Sequence, residues 1–213
     1  MVLHMAVSTE KFLLAVLTLP VMFDGEGELL EALLEAGLDK LHVRKPGATT
    51  QELEGMLERL APRWASRLVL HGNYEMAVRY GIPQVHGAVE FRDGSGCSGG
   101  GLFVGGGAAL AVSTSVHSWE EFRDLPDGLA YAFISPLFDS ISKPGYGAAP
   151  DLLVCPEEEL PCLPVGLGGI GADTIGEMLR HGWKGAAVLG WIWDKPQEAV
   201  GRYKQLKQII DGD

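Results

Sequence analysis

The chain has 213 residues, 46% of them hydrophobic, enough for one substantial core and short for two, so a single domain over residues 1–213 is expected. Its formal net charge of −11 sets the average surface against nucleic acid and anionic membranes, while a local basic pocket for a phosphorylated metabolite stays compatible with it. The three cysteines, Cys97, Cys155 and Cys162, have neither the count nor the spacing of a disulfide framework or a zinc finger, and they read as free thiols of a cytoplasmic protein.

Residues 1–10 read as a flexible extension, with Met5 as an alternative start. Phe12 to Phe23 could pass for the apolar part of a signal peptide, but Glu10 stands before it, Pro20 interrupts it and Asp24-Gly25-Glu26 offers no cleavage site, so it reads as a buried first strand and its exit loop. Leucines 29, 30, 33 and 34 between glutamates give one apolar face to a helix over Glu28 to Ala36, which Gly37 stops. Lys40 to Gly47 is a short strand with a basic tail, and Thr49-Thr50-Gln51-Glu52 opens a helix over Gln51 to Leu60 with a hydroxyl cap and an acidic first turn. Strands at Arg67 to Leu70, Pro83 to His86, Ala109 to Ser113 and Tyr131 to Ile134 follow, with helices at Tyr74 to Tyr80 and from Trp119. Leu163 to Leu167 and Ala186 to Leu189 lack polar alternation and read as strands buried on both faces, joined by helix Ala172 to His181. Lys195 to Ile210 closes the chain as an amphipathic helix. About eight strand–helix units in this length predict a compact (βα)₈ barrel, with an open doubly wound sheet as the alternative. Asp93 to Gly107, nearly half glycine, is expected to be a loop in place of the fourth crossover helix.

A barrel of this kind carries its site at the C-terminal strand ends. The two late strands end at Gly168-Gly169-Ile170 and at Gly190, where glycines let backbone N–H groups approach an anion, so Gly168, Gly169 and Gly190 are the expected phosphate-binding residues, against the plainer role of glycines in tight turns. The other strand ends deliver His42, Arg44 and Lys45, then His71, His86, Ser113, Ser115 and His117, and finally Ser135, Asp139, Ser140, Ser142 and Lys143. A histidine at such a position is commonly a structural hydrogen-bonding residue. His117 is the catalytic candidate, because hydroxyls in Ser113-Thr114-Ser115-Val116-His117-Ser118 can fix its tautomer and its neutral ring can accept a proton near neutral pH. Arg44 and Lys45, two cations at one strand end of an acidic protein, point to an anionic ligand. No close pair of carboxylates marks a divalent-metal site, so no metal is expected.

The segment Tyr131 to Gly147, with Leu41-His42-Val43-Arg44-Lys45, Ser115-Val116-His117-Ser118, Ser140 to Lys143 and Gly168-Gly169-Ile170 in that order, resembles the thiamin phosphate synthase and TenI superfamily over nearly the whole chain. The resemblance implies a (βα)₈ barrel acting on thiazole phosphate, with His42, Arg44, His71, Ser115, Ser140, Ser142 and Lys143 about the substrate. In the synthase branch, which joins hydroxymethylpyrimidine pyrophosphate to thiazole phosphate, the pattern has Gln-x-Arg-x-Lys after the second strand and two Mg²⁺-binding aspartates after the third and fourth. Here the first becomes His42-Val43-Arg44-Lys45-Pro46, and the aspartates align with Gly72 of His71-Gly72 and with Phe91. The departure favours the TenI branch, a metal-independent thiazole tautomerase whose acid–base histidine matches His117. The synthase, needing Mg²⁺, is the alternative, and a non-catalytic binder of a pathway metabolite is the third reading. The sequence leaves the oligomeric state open, homo-oligomer included.

Overall fold

The computed structural model describes residues 11–87, 97–98, 101–104, 108–139 and 149–212. Short runs of apolar and β-branched residues bounded by turns give parallel strands β1 (Leu13–Leu17), β2 (Lys40–Val43), β3 (Leu68–His71) and β4 (Gln84–His86) in the first half of the chain. The second half supplies β7 (Ala108–Val116), β8 (Tyr131–Ile134), β9 (Leu163–Leu167) and β10 (Gly185–Val188). Each pairs in parallel with the next, β4 pairs with β7, and β10 returns to β1 with Leu13 opposite Gly185 and Val16 opposite Val188. The sheet is therefore a closed barrel of eight parallel strands, not the open doubly wound alternative.

Helices α1 (Glu26–Glu35), α2 (Thr50–Trp64), α3 (Tyr74–Arg79), α4 (Trp119–Arg123), α5 (Ala172–Arg180), α6 (Gly190–Trp193) and α7 (Ala199–Asp211) lie between and after the strands. The expected cap of α2 is present: the Thr49 hydroxyl accepts from the Glu52 N–H and the Glu52 carboxylate accepts from the Thr49 N–H, a reciprocal capping box. Ser118 caps α4 without that reciprocity, its hydroxyl accepting from the Glu121 N–H at 3.1 Å. Two features depart from expectation. Within the glycine-rich stretch, β5 (Cys97–Ser98) and β6 (Gly101–Val104) pair antiparallel, and β6 pairs in turn with the first half of β7. Leu102-Phe103-Val104 is a short run of strand-forming residues within the glycines, and β7 is long because one half meets β6 and the other enters the barrel. Residues 88–96, 99–100 and 105–107 of that stretch, and the N-terminal extension, lie outside the described residues. No described helix is long and apolar enough to cross a membrane.

Alternation along the strands separates two cores. Leu14, Val16, Leu41, Val43, Leu68, Leu70, Val85, Ala132 and Ile134 point outward into a large layer beneath the helices. Ala15, Leu17, Tyr131, Phe133, Val165 and Ala187 fill the lumen. On the opposite side of the lumen the same parity places His42, His71, Gln84, His86 and Ser113, so half of the barrel interior is apolar and half is polar.

Candidate active site

Two adjoining cavities open at the C-terminal ends of the strands and share Leu17 and Leu167 as a common wall. The first, of about 570 Å³, lies at the ends of β8, β9 and β10 and is lined by His117, Ser135, Gly168, Gly169, Gly190 and Trp191 with apolar neighbours. Glycine is required at two of these positions by conformation as well as by space. Gly168 and Gly169 have φ of 101° and 63°, and a Cβ at Gly169 would stand 2.4 Å from the Asp139 carbonyl oxygen. The β9 exit loop thus packs against the β8 exit loop, with the Phe138 N–H donating to the Gly168 carbonyl at 3.2 Å. Among the described residues no hydrogen bond takes up the N–H groups of Gly169 or Ile170. Gly190, expected to end a strand, opens the single turn α6, which brings Trp191 over the cavity.

His117 stands exposed at the rim of this cavity. Its Nδ1 lies 3.1 Å from the Ser135 carbonyl oxygen, which can only accept, so Nδ1 carries the proton and Nε2 holds the lone pair of the neutral ring. Its backbone N–H donates to the Glu121 carboxylate at 2.9 Å. The tautomer is fixed by a carbonyl, in correction of the expectation that neighbouring hydroxyls would fix it. Those hydroxyls are used elsewhere: Ser113 Oγ and Ser115 Oγ lie 3.1 and 2.9 Å from the two ring nitrogens of His86. Ser113 is correspondingly buried within β7 and does not stand at a strand end.

The second cavity, about 440 Å³, is lined by Arg44, His71, His86, Thr114 and Ser115. Arg44 is exposed, and its backbone is anchored by Thr18, whose hydroxyl accepts from the Arg44 N–H at 3.0 Å. His42 does not reach the cavity, in correction of its placement about the substrate. An inward position halfway along β2 leaves it with no solvent exposure, with Nδ1 3.0 Å from His71 Nε2 and Nε2 2.6 Å from the Tyr131 hydroxyl. Burial holds the His42 pKa well below its ordinary value, with help from the charges His71 and His86 would carry. Burial, then His86 and Arg44, brings His71 down to about 2, and burial raises the Tyr131 phenol. All of these groups are therefore neutral at neutral pH. The ligand atoms of His42, His71 and His86 lie within 4.8 Å of one another.

Lys45 is also corrected: its ammonium is buried, 2.6 and 2.7 Å from the two Glu26 carboxylate oxygens and 2.8 Å from the Val21 carbonyl, so it ties β2 to the start of α1 and offers nothing to a ligand. The structure thus gathers His117, Gly168, Gly169 and Gly190 about one cavity and Arg44, His71 and Ser115 about the other. Ser140, Ser142 and Lys143 lie outside the described residues. Sequence reasoning missed Trp191 and Tyr131. The aromatic at the inward position of β8 was visible as a strand residue, but only register reveals that it faces His42. Cys155 and Cys162 are free thiols.

A family model described as thiamine monophosphate synthase matches residues 22–192. A thiamine-phosphate synthase of Chromobacterium violaceum is 27% identical over 175 residues, covering 81% of this chain and 83% of that protein. A putative thiamine-phosphate synthase of Geobacter sulfurreducens is 26% identical, with 79% of each chain covered. The crystal structure of thiamine phosphate pyrophosphorylase from Bacteroides thetaiotaomicron superposes with a TM-score of 0.71 at 26% identity over 93% of this chain and 97% of that one. The thiamine phosphate pyrophosphorylase from Pyrococcus furiosus, at 18% identity and a TM-score of 0.70, has the same fold. With the family model matched across most of a closed (βα)₈ barrel whose strand ends converge on these cavities, the chain belongs to the thiamine monophosphate synthase (TMP-TENI) family of thiamine biosynthesis.

Proposed function

We propose that the chain is a transferase that joins a thiazole phosphate, held in the first cavity, to a pyrimidine bearing a pyrophosphate leaving group, held in the second. The observation that carries this reading is the pair of cavities that share Leu17 and Leu167 in their lining, since a condensation needs two adjoining subsites and a proton shift within one molecule needs one. The relatives named thiamine-phosphate synthase support it over the tautomerase that the missing aspartates had favoured. In the bond-making step the thiazole nitrogen forms a bond to the pyrimidine methylene carbon, and the carbon–oxygen bond to pyrophosphate breaks. The Gly168-Gly169 turn, with N–H groups of Gly169 and Ile170 turned to no partner among the described residues, is suited to the ester phosphate, and the apolar wall of Leu17, Leu167 and Trp191 to the ring. Arg44 is placed to neutralise the leaving pyrophosphate.

The Mg²⁺ that the synthase branch uses does not fit the described part of the second cavity. Mg²⁺ takes oxygen ligands, and no carboxylate among the described residues lines this cavity, where His71 and Gly72 stand at the end of β3. A second reading, the proton shift, rests on the His117 tautomer, whose Nε2 lone pair suits an acid–base residue at the rim of the first cavity.

Condensation and proton-shift assays run side by side, each with and without Mg²⁺, separate the readings. Arg44→Met should weaken pyrophosphate binding and condensation by about 10- to 100-fold, the worth of a hydrogen bond to a charged group. His117→Asn should lower a proton shift by about 10² to 10⁴ while leaving condensation near wild type. Proton-shift activity without condensation would transfer the assignment to the tautomerase. A tightly held thiazole phosphate returned unchanged in both assays would make the chain a binder.

A further inference from the structure

We propose that His42, His71 and His86 form a binding site for one zinc-class divalent transition-metal ion, with an open fourth position facing the second cavity. The inference stands on the geometry of the lumen and holds whichever reaction the barrel performs.

Three side-chain nitrogens from three adjacent strands, β2, β3 and β4, converge with their ligand atoms within 4.8 Å of one another. Strand register enforces this: His42 stands beside Val69, two residues before His71, and His71 pairs directly with His86. The His42 Nδ1 to His71 Nε2 distance of 3.0 Å is within a few tenths of an ångström of the about 3.3 Å between two ligands of a tetrahedral ion at 2.0–2.1 Å bond lengths, and the His86 nitrogen, within 4.8 Å of both, closes by up to about 1.5 Å to complete the triad. The ion would take the place of the single proton that these nitrogens now share.

The surrounding hydrogen bonds have the form that orients metal-bound imidazoles. Ligation through His42 Nδ1 leaves its Nε2–H to donate to the Tyr131 hydroxyl, 2.6 Å away. His86 bonds a serine hydroxyl at each ring nitrogen, so whichever nitrogen ligates, the other stays held by Ser113 or Ser115. His42 is sealed below, while His71 and His86 border the second cavity, so the fourth position opens upward beside Arg44 and Ser115. Three histidines and one open position are the arrangement of catalytic zinc sites. Imidazole nitrogens suit zinc, copper, iron and nickel rather than magnesium. A dication next to the Arg44 guanidinium would draw an anionic oxygen, of phosphate or carboxylate type, into that fourth position.

The test is a titration of the tag-free, chelator-treated chain with Co²⁺. One equivalent should produce the intense visible bands of a four-coordinate ion, Zn²⁺ should bleach them stoichiometrically, and Mg²⁺ should leave them unchanged. His71→Ala and His86→Ala, checked for cooperative melting, should each abolish the bands, and Tyr131→Phe should weaken Co²⁺ binding by about 10- to 100-fold while keeping the ligands. His181→Ala, on the outer surface after α5, should change nothing. X-ray absorption of the wild-type chain with Zn²⁺ gives an answer independent of the variants: three nitrogen ligands at about 2.0 Å are expected. The absence of bands at millimolar Co²⁺, bands that persist in folded His71→Ala, or a zinc shell without three imidazoles each overturns the proposal.

Discussion

Lys45→Met should destabilise the fold more than its position at a basic strand end suggests, because it removes the counterion from a carboxylate with almost no access to water. The Lys45 and Glu26 side chains are 0% and 2% exposed, with both carboxylate oxygens within hydrogen-bond range of the ammonium. Burial raises the Glu26 pKa and lowers that of Lys45, and the contact between them opposes both shifts. Breaking such a pair from one side costs about 3–5 kcal/mol, which in a domain of this size lowers Tm by roughly 6–20 °C. The deficit should depend on pH with a definite sign. Without Lys45 only the burial remains, so the folded-state pKa of Glu26 rises further above its ordinary 4.5. The loss relative to wild type is then small below the wild-type folded pKa of Glu26, itself above 4.5, and grows by about 1.4 kcal/mol per pH unit from there to the still higher folded pKa of the variant. Glu26→Leu/Lys45→Met should recover most of the stability, since apolar replacement of a buried pair is often neutral or better, and the Val21 carbonyl that Lys45 also holds is on an exposed residue that water can reach. Urea unfolding followed by circular dichroism of wild type, Lys45→Met and the double variant, each at pH 4.5 and 7.5, provides the free energies compared. A single variant within 1 kcal/mol of wild type at pH 7.5, or a deficit that does not change with pH, would refute the account.

Two glycine substitutions should act in opposite directions. Gly169→Ala adds a Cβ 2.4 Å from a backbone oxygen at a left-handed φ of 63° and should lose at least about 1–2 kcal/mol together with phosphate-ester affinity, whereas Gly201→Ala, inside α7 with nothing within 4 Å, should gain about 0.5–1 kcal/mol. Thermal melts and calorimetry with a phosphate ester and its dephosphorylated analogue check both, and equal binding of the two ligands would remove the phosphate assignment. Burial pushes the Cys162 thiol up to about 12, so at pH 8 its thiolate fraction is about 10⁻⁴ and alkylation by iodoacetamide, located by peptide mass mapping, should be about three orders of magnitude slower than for free cysteine. Rapid labelling of Cys162 in the folded chain would contradict that burial.

The barrel was legible because apolar runs without alternation mark strands buried on both faces, and because caps such as Thr49 with Glu52 announce themselves locally. The strand ends were legible for the same reason, which is why Arg44, His71, Ser115, His117 and the late glycines fall about the cavities. What stayed hidden depends on parity and partners. Lys45 and Arg44 are adjacent in sequence and look alike as cations, yet alternation turns one out to the mouth and the other under α1 onto Glu26, nineteen residues earlier in the chain. His42 is set two residues before Arg44 on the same inward face, one step deeper in the lumen, and only the register against β3 shows that its partner is His71. The β6–β7 ladder was hidden because Leu102-Phe103-Val104 is an apolar run of only three residues between glycines, too short to mark a strand by itself.

The division of the lumen bears on where this chain is specialised. Filling a barrel with Leu, Val and Phe would stabilise it by about 1.5–3 kcal/mol for each fully buried side chain, without any need for hydrogen-bond partners. The side formed by β8, β9, β10 and β1 follows that course, with Leu17, Phe133, Val165 and Ala187 in the interior core. The side formed by β2, β3, β4 and β7 does not, and instead buries His42 in contact with His71 and Tyr131 and holds the half-buried His86 between two serine hydroxyls. Such a network adds little net stability even when satisfied, and removal of one member leaves a partner unpaired. The polar half lies directly beneath the second cavity and the apolar half beneath the first. The chemistry particular to this chain is therefore expected above the histidines, and under the proposed condensation the first cavity would hold the ring and phosphate on which the second acts.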